Sequence, residues 1–97
     1  MIYNDVDTPS VLIDLDIVEM NIQKYQRYCN SISLNLRPHI KTHKIPALAK
    51  LQLAKGAVGI TCQKISEAEA IISEGAINDI LITYNIIGKK KFPIPLM

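Results

Sequence analysis

The chain is predicted to fold as an α/β domain built on a parallel sheet. Three observations predict it. Short apolar runs alternate with longer stretches that carry a helical apolar stripe, in the order βαβαβαβ. The fragments Gly56-Ala57-Val58 and Gly75-Ala76-Ile77, nineteen residues apart, repeat one unit in which a helix cap leads into a strand. The expected strands are short and continuously apolar, as parallel strands covered on both faces are. Strands joined by helices at this spacing pair in parallel through right-handed crossovers. The pattern amounts to four parallel strands with three helices. It admits a doubly wound sheet or part of a barrel, since a closed (β/α)8 barrel takes about 250 residues.

Each element has its own signal. Val11-Leu12-Ile13, just after Pro9, reads as the first strand. Asp14 to Asp16 opens a helix whose Val18, Ile22, Tyr25 and Cys29 are spaced 4, 3 and 4, one stripe, and which ends at Asn30 and Ser31. Residues 34–41 read as the second strand. Thr42 and His43 lead into a second helix with Pro46 in its first turn, Leu48 and Leu51 as its seam, and Gly56 as a left-handed cap. Residues 58–62 form the third strand. Ser66 and Glu69 have capping-box spacing, placing the third helix start at Ser66, with Ala68, Ile71 and Ile72 buried and Gly75 closing it. Ile80-Leu81-Ile82 is the fourth strand. A helix is due after it, but Pro93 and Pro95 forbid one, so the tail from Lys89 onward reads as a divergence from the pattern.

Composition narrows the function classes. With 48% apolar residues among 97 the chain can build a core and is not a disordered segment. A formal net charge of +2 gives no pull toward nucleic acid or membrane, and one Phe with no Trp leaves no platform for stacking bases. The N-terminal ten residues carry two aspartates and no apolar run, against a signal peptide, and no stretch has the apolar length of a membrane span. Cys29 and Cys62 match no metal spacing and read as buried thiols of a reduced cytoplasm, with a single disulfide between them as the alternative.

Chemistry concentrates in Arg37-Pro38-His39-Ile40-Lys41-Thr42-His43-Lys44, at the C-terminal end of the second strand, the end where parallel α/β folds place their sites. Strand alternation puts Leu34, Leu36 and Ile40 on one face and Arg37, His39 and Lys41 on the other. A lysine on a covered face is costly unless paired or covalently engaged. An imine-forming lysine must be offered as the neutral amine, which burial beside a cation such as Arg37 would favour. Lys41 fits that role better than Lys44, which falls past the strand end. A solvated lysine or a phosphate contact is the plainer alternative. His39 and His43 are separated by the strand end and lack a carboxylate or cysteine partner, so no metal site is expected from them. A capping role suits His43 and a supporting role suits His39. Ser66 reads as a cap rather than a nucleophile, Cys62 as a core residue, and Lys89-Lys90-Lys91 as a solvated loop. No glycine-rich phosphate loop is present.

Asp7-Thr8-Pro9 with Leu12-Ile13-Asp14, followed by the Arg37-to-Lys44 cluster, resembles the opening of the D-threonine aldolase and eukaryotic-type D-serine dehydratase family. These belong to the alanine racemase-like N-terminal barrel superfamily, the fold-type III pyridoxal-phosphate enzymes. Gly56 through Cys62, Glu67-Ala68-Glu69, Asp79 through Ile82 and Tyr84 through Gly88 agree with it. The likeness runs from residue 7 to residue 88 of a domain spanning 1–97, leaves 89–97 divergent, and covers only part of a full-length relative.

The resemblance implies the first half of a cofactor-binding (β/α)8 TIM-type barrel. It implies pyridoxal 5'-phosphate held covalently by Lys41, with His39 as a second cofactor-binding residue. The implied activity is that of a lyase on a small-molecule D-amino acid, by aldol cleavage or by dehydration. The metal ligands of full-length relatives lie in their C-terminal part, so no metal residue is implied here. Those relatives are expected to be cytoplasmic homodimers. A chain with this much of the domain is expected to lack turnover alone. Two other readings stand beside it: a racemase or non-catalytic carrier of the same cofactor, against which Thr42-His43-Lys44 speaks, and an inactive truncated product, which the tail favours.

Overall fold

Asp14 begins the first ordered element because its carboxylate takes two of the N–H groups that a helix start leaves unpaired. Its Oδ1 accepts from the backbone of Asp16 at 3.1 Å and Ile17 at 3.2 Å. The computed structural model describes residues 5–75, 77–85 and 87. Helix α1 spans Leu15–Ser31, α2 spans Pro46–Ala54 and α3 spans Ile65–Ser73; strand β1 is Ile60–Cys62 and β2 is Ile80–Ile82. The lysine run at 89–91 and the tail beyond it lie outside the described residues.

The two strands pair in parallel, Ile60 opposite Ile80, Thr61 opposite Leu81 and Cys62 opposite Ile82. The crossover between them is α3, as the alternating pattern requires. One face of the sheet carries the core. Ile60 and Cys62 of β1 pack with Ile40, Ala49 of α2, Ala68 and Ile71 of α3, and Ile77, while Leu53, Ile80 and Ile82 close its rim. Ile40, Ala49, Ile60 and Cys62 are fully buried.

Residues 34–41 run along the free edge of β1 without forming a regular ladder. The contact is an isolated parallel bridge, His39 opposite Thr61, with Thr61 N–H donating to Pro38 O at 2.8 Å and Ile40 N–H to Thr61 O at 3.0 Å. Lower down, Val58 N–H donates to Leu36 O. The register would have residue 38 donate to Gly59, and proline has no N–H to give. That is why the predicted second strand is reduced to a bridge.

The predicted first strand is a correction. Val11, Leu12 and Ile13 form no strand and are 91%, 55% and 46% exposed. An apolar triplet becomes a strand only against an edge that accepts it, and none meets it among the described residues. The α2 seam also moves. Ala49 is buried in the core and Leu53 packs against its rim, half-buried like Leu48 and Leu51, because the small Ala49 lets the helix approach the sheet. In α3, Ala68 and Ile71 are buried as expected, but Ile72 is 42% exposed.

The third helix starts before Ser66. Its N-cap is Lys64, whose side chain caps nothing, and Ser66 is exposed in the first turn. Glu67, at the third helical position, reaches back instead, its Oε1 accepting Gln63 N–H at 3.1 Å. The bond reaches one residue past the N-cap Lys64, so it is not the Ser66–Glu69 capping box that the spacing predicted. Gly56 at φ +123° and Gly75 at φ +75° do close α2 and α3. Cys29 and Cys62 are buried and unbridged. No helix among the described residues is long and apolar enough to cross a membrane.

Candidate functional site

The face of the sheet turned away from the core is built in rows. Register partners in a parallel sheet share a face, so His39, Thr61 and Leu81 stand side by side there. Toward the N-terminal strand ends, Arg37 and Asp79 meet over Gly59. Lys41 lies past the His39 row, in the turn that leaves the sheet edge after Ile40.

The N-terminal end of this face is closed by an ion pair. Arg37 Nη2 lies 2.8 Å from Asp79 Oδ1, and Nη1 donates to Ile60 O at 3.1 Å and Asp79 O at 3.3 Å. Arg37 thus ties residues 34–40 to both strands. It does not flank Lys41. Three residues separate them, four steps or about 13 Å of extended chain, so Arg37 is a structural tie rather than the electrostatic neighbour that alternation suggested.

His39 is half-buried, and its Nδ1 accepts the backbone N–H of Lys41 at 3.2 Å. In the neutral ring that acceptor leaves the proton on Nε2. Lys41 follows the fully buried Ile40 and is itself exposed, at the start of a turn. The turn is closed by Ile40 O, which accepts from His43 N–H at 3.2 Å and Lys44 N–H at 2.8 Å. Lys44 completes it at φ +54°. Among the described residues no hydrogen bond or ion pair engages the Lys41 amine.

His43 closes the loop ahead of α2 rather than capping the helix, whose start has no side-chain cap bond among the described residues. Its Nδ1 accepts Ile45 N–H at 2.8 Å at the entry to α2, and its Nε2 lies 3.2 Å from Gln52 Oε1. No three His, Cys, Asp or Glu side chains come together as a metal site among the described residues.

Cys62 ends β1 on the core side. Burial, with the Glu67 carboxylate beside it, pushes the thiol up from its ordinary value to about 11. A thiol held protonated is a poor nucleophile, which fits its position in the core. Sequence reasoning did not foresee Glu67 as a buried carboxylate: its spacing to Gln63 becomes meaningful only once the helix start is known.

No family model matches the sequence. Individual relatives do. The chain is 44% identical over 89 residues to a D-threonine aldolase of Arthrobacter sp., covering 92% of this chain and 23% of that protein. It is 42% identical over 76 residues to a D-threo-3-hydroxyaspartate dehydratase of Delftia sp. strain HT23, covering 78% of this chain and 20% of that protein. Among solved structures it superposes on D-threonine aldolase from Filomicrobium marinum with a TM-score of 0.85 at 47% identity, over 90% of this chain and 23% of that one. The chain thus spans less than a quarter of the length of these relatives. It is a homologue of the D-threonine aldolases and D-threo-3-hydroxyaspartate dehydratases and corresponds to the N-terminal part of such proteins.

Proposed function

We propose that this chain is the cofactor-lysine segment of a pyridoxal-phosphate-dependent lyase acting on a β-hydroxy-D-amino acid, and that the lysine is Lys41. The observation that carries the reading is the setting of Lys41. It has a buried neighbour as its foothold, a hydrogen-bonded turn at the C-terminal strand ends, and an amine that no side chain engages among the described residues. The reaction class comes from relatives named as an aldolase and a dehydratase.

The residues fit the aldehyde end of the cofactor. A carbonyl of that kind needs a primary amine free to attack and a firm backbone beneath it, and Lys41 has both. When bound, the cofactor supplies an electron sink for a bond broken at the α-carbon of the substrate. Lys41 is the residue that would hold the cofactor, through its amine, and the same amine would serve as a base toward one face of the substrate. His39, two residues earlier, offers its Nε2–H as a hydrogen-bond donor, and its Nδ1 holds the Lys41 backbone.

The face that carries these groups is proposed as the lumen side of a barrel whose remaining strands belong to the rest of the relatives' length. Such strands would cover both open sheet edges and supply the phosphate-binding residues. The divalent metal of full-length relatives is proposed to bind outside this chain. The 97-residue chain alone is expected to hold the cofactor without turning substrate over.

The test is direct. The purified chain is mixed with pyridoxal phosphate, reduced with borohydride and digested for peptide mapping. The expected result is a single pyridoxyl adduct on Lys41, with an absorbance band that Lys41→Ala abolishes. An adduct confined to another lysine, or none at all, overturns the reading.

A further inference from the structure

We propose that His43 is a positioning residue for Lys41, a two-ended strut that fixes the Lys41 turn to α2. The proposal rests on the reading of Lys41 given above.

The argument starts from the turn. Residues 41–44 leave the sheet edge and fold back, with Ile40 O accepting from both His43 and Lys44. Lys44 sits at φ +54°, a conformation that a residue with a side chain rarely adopts. Bonds, rather than backbone preference, must therefore hold the turn. Two of them come from the His43 ring. Nδ1 accepts Ile45 N–H at 2.8 Å, just beyond Lys44, and fixes the end of the turn. An Nδ1 that accepts leaves the neutral ring's proton on Nε2, which then donates to Gln52 Oε1 at 3.2 Å. Gln52 lies on α2, the helix that Ala49 and Leu53 anchor in the core. A continuous path of bonded groups thus runs from the core through α2, Gln52 and His43 to the turn that presents Lys41.

The two histidines of the cluster divide the work. Each uses Nδ1 to accept a backbone N–H two residues ahead, His39 from Lys41 and His43 from Ile45. They differ at Nε2. That of His43 is spent on Gln52, whereas that of His39 has no protein partner among the described residues and remains available to a ligand.

The imidazole can be dissected by substitution. His43→Asn places an amide oxygen where Nδ1 stood and keeps the bond to Ile45. His43→Gln places its amide near Nε2 and loses that bond, and His43→Ala loses both. Pyridoxal-phosphate titration of the full chain, with borohydride trapping at Lys41, is compared across the four proteins. Amide hydrogen exchange at Lys41, Lys44 and Ile45 is measured in parallel without cofactor. The expected result is that His43→Gln and His43→Asn, each keeping only one end of the strut, weaken Lys41 adduct formation and amide protection by about fivefold, the weight of one net hydrogen bond, and that His43→Ala, which keeps neither, weakens both further. Equal behaviour of all four proteins, or a parent-like result for either variant that keeps one end, overturns the proposal. A parent chain that forms no Lys41 adduct refutes the cofactor reading instead. Amide protection alone then decides for or against the strut by the same comparison.

Discussion

Arg37 reaches Asp79 across the backbone of Gly59, and the crossing is possible because Gly59 has no side chain. A Cβ built there would lie 2.4 Å from Arg37 Nη1 and 2.7 Å from the carbonyl oxygen of Asp79. The first contact is with the head of a flexible side chain, but the second is with backbone. Gly59→Ala must therefore displace either the guanidinium or β2. It is expected to lower stability by about 1–3 kcal/mol, the cost of overpacking a filled site, measured by urea unfolding. A loss under 0.5 kcal/mol would show that the arginine simply steps aside.

The same tie makes a prediction about charge. The side chains of Arg37 and Asp79 are 28% and 60% exposed, so the ion pair itself is screened by water. A double-mutant cycle of Arg37→Met with Asp79→Asn is expected to return a coupling of only about 0.2–1 kcal/mol. Arg37→Met alone should cost more than Asp79→Asn alone, because it also removes the guanidinium bonds to the carbonyls of Ile60 and Asp79, although Asp79 O keeps the backbone N–H of Ile60. Equal single-mutant costs would contradict that ordering.

Cys62 predicts an alkaline dependence. Its thiol is raised from 9.0 to about 11 by burial and by Glu67. As pH rises above 9, the unfolded chain loses this proton while the folded chain keeps it. The unfolded state then binds fewer protons, so stability is full below pH 9 and falls as pH climbs toward 11. Cys62→Ala should flatten that slope relative to the parent in urea titrations at a series of pH values, whatever it does to stability at neutral pH. Parallel slopes for the two proteins would refute the assignment.

The two helix starts behave differently under truncation. Asp14→Ala removes an acceptor shared by two backbone donors and is expected to cost about 1 kcal/mol, with helical signal lost from α1. Ser66→Ala, at the position where sequence placed a cap, is expected to stay within about 0.5 kcal/mol because the side chain is exposed and bonds nothing among the described residues. Glu67→Ala, which frees Gln63 N–H, should exceed Ser66→Ala. Circular dichroism with thermal unfolding ranks the three, and a Ser66→Ala loss as large as that of Glu67→Ala would restore the predicted register.

Local chemistry determined what the sequence showed by itself. The three helices, the strands at 60–62 and 80–82 and their parallel pairing follow from period, caps and connection length, which are properties of short windows. The density of polar groups from Arg37 to Lys44 was legible for the same reason. Tertiary structure decided what depends on a partner. Val11, Leu12 and Ile13 are apolar enough for a strand yet stay exposed, because a strand exists only against an edge. Pro38 breaks a ladder whose register no window reveals. Arg37 faces Asp79 instead of Lys41 because alternation gives the face but not the height along it. Glu67 displaces Ser66 and Glu69 at the start of α3 because burial against the sheet sets where the helix begins. Pairing and packing act between residues distant in sequence, and neither is encoded at any single position along the chain.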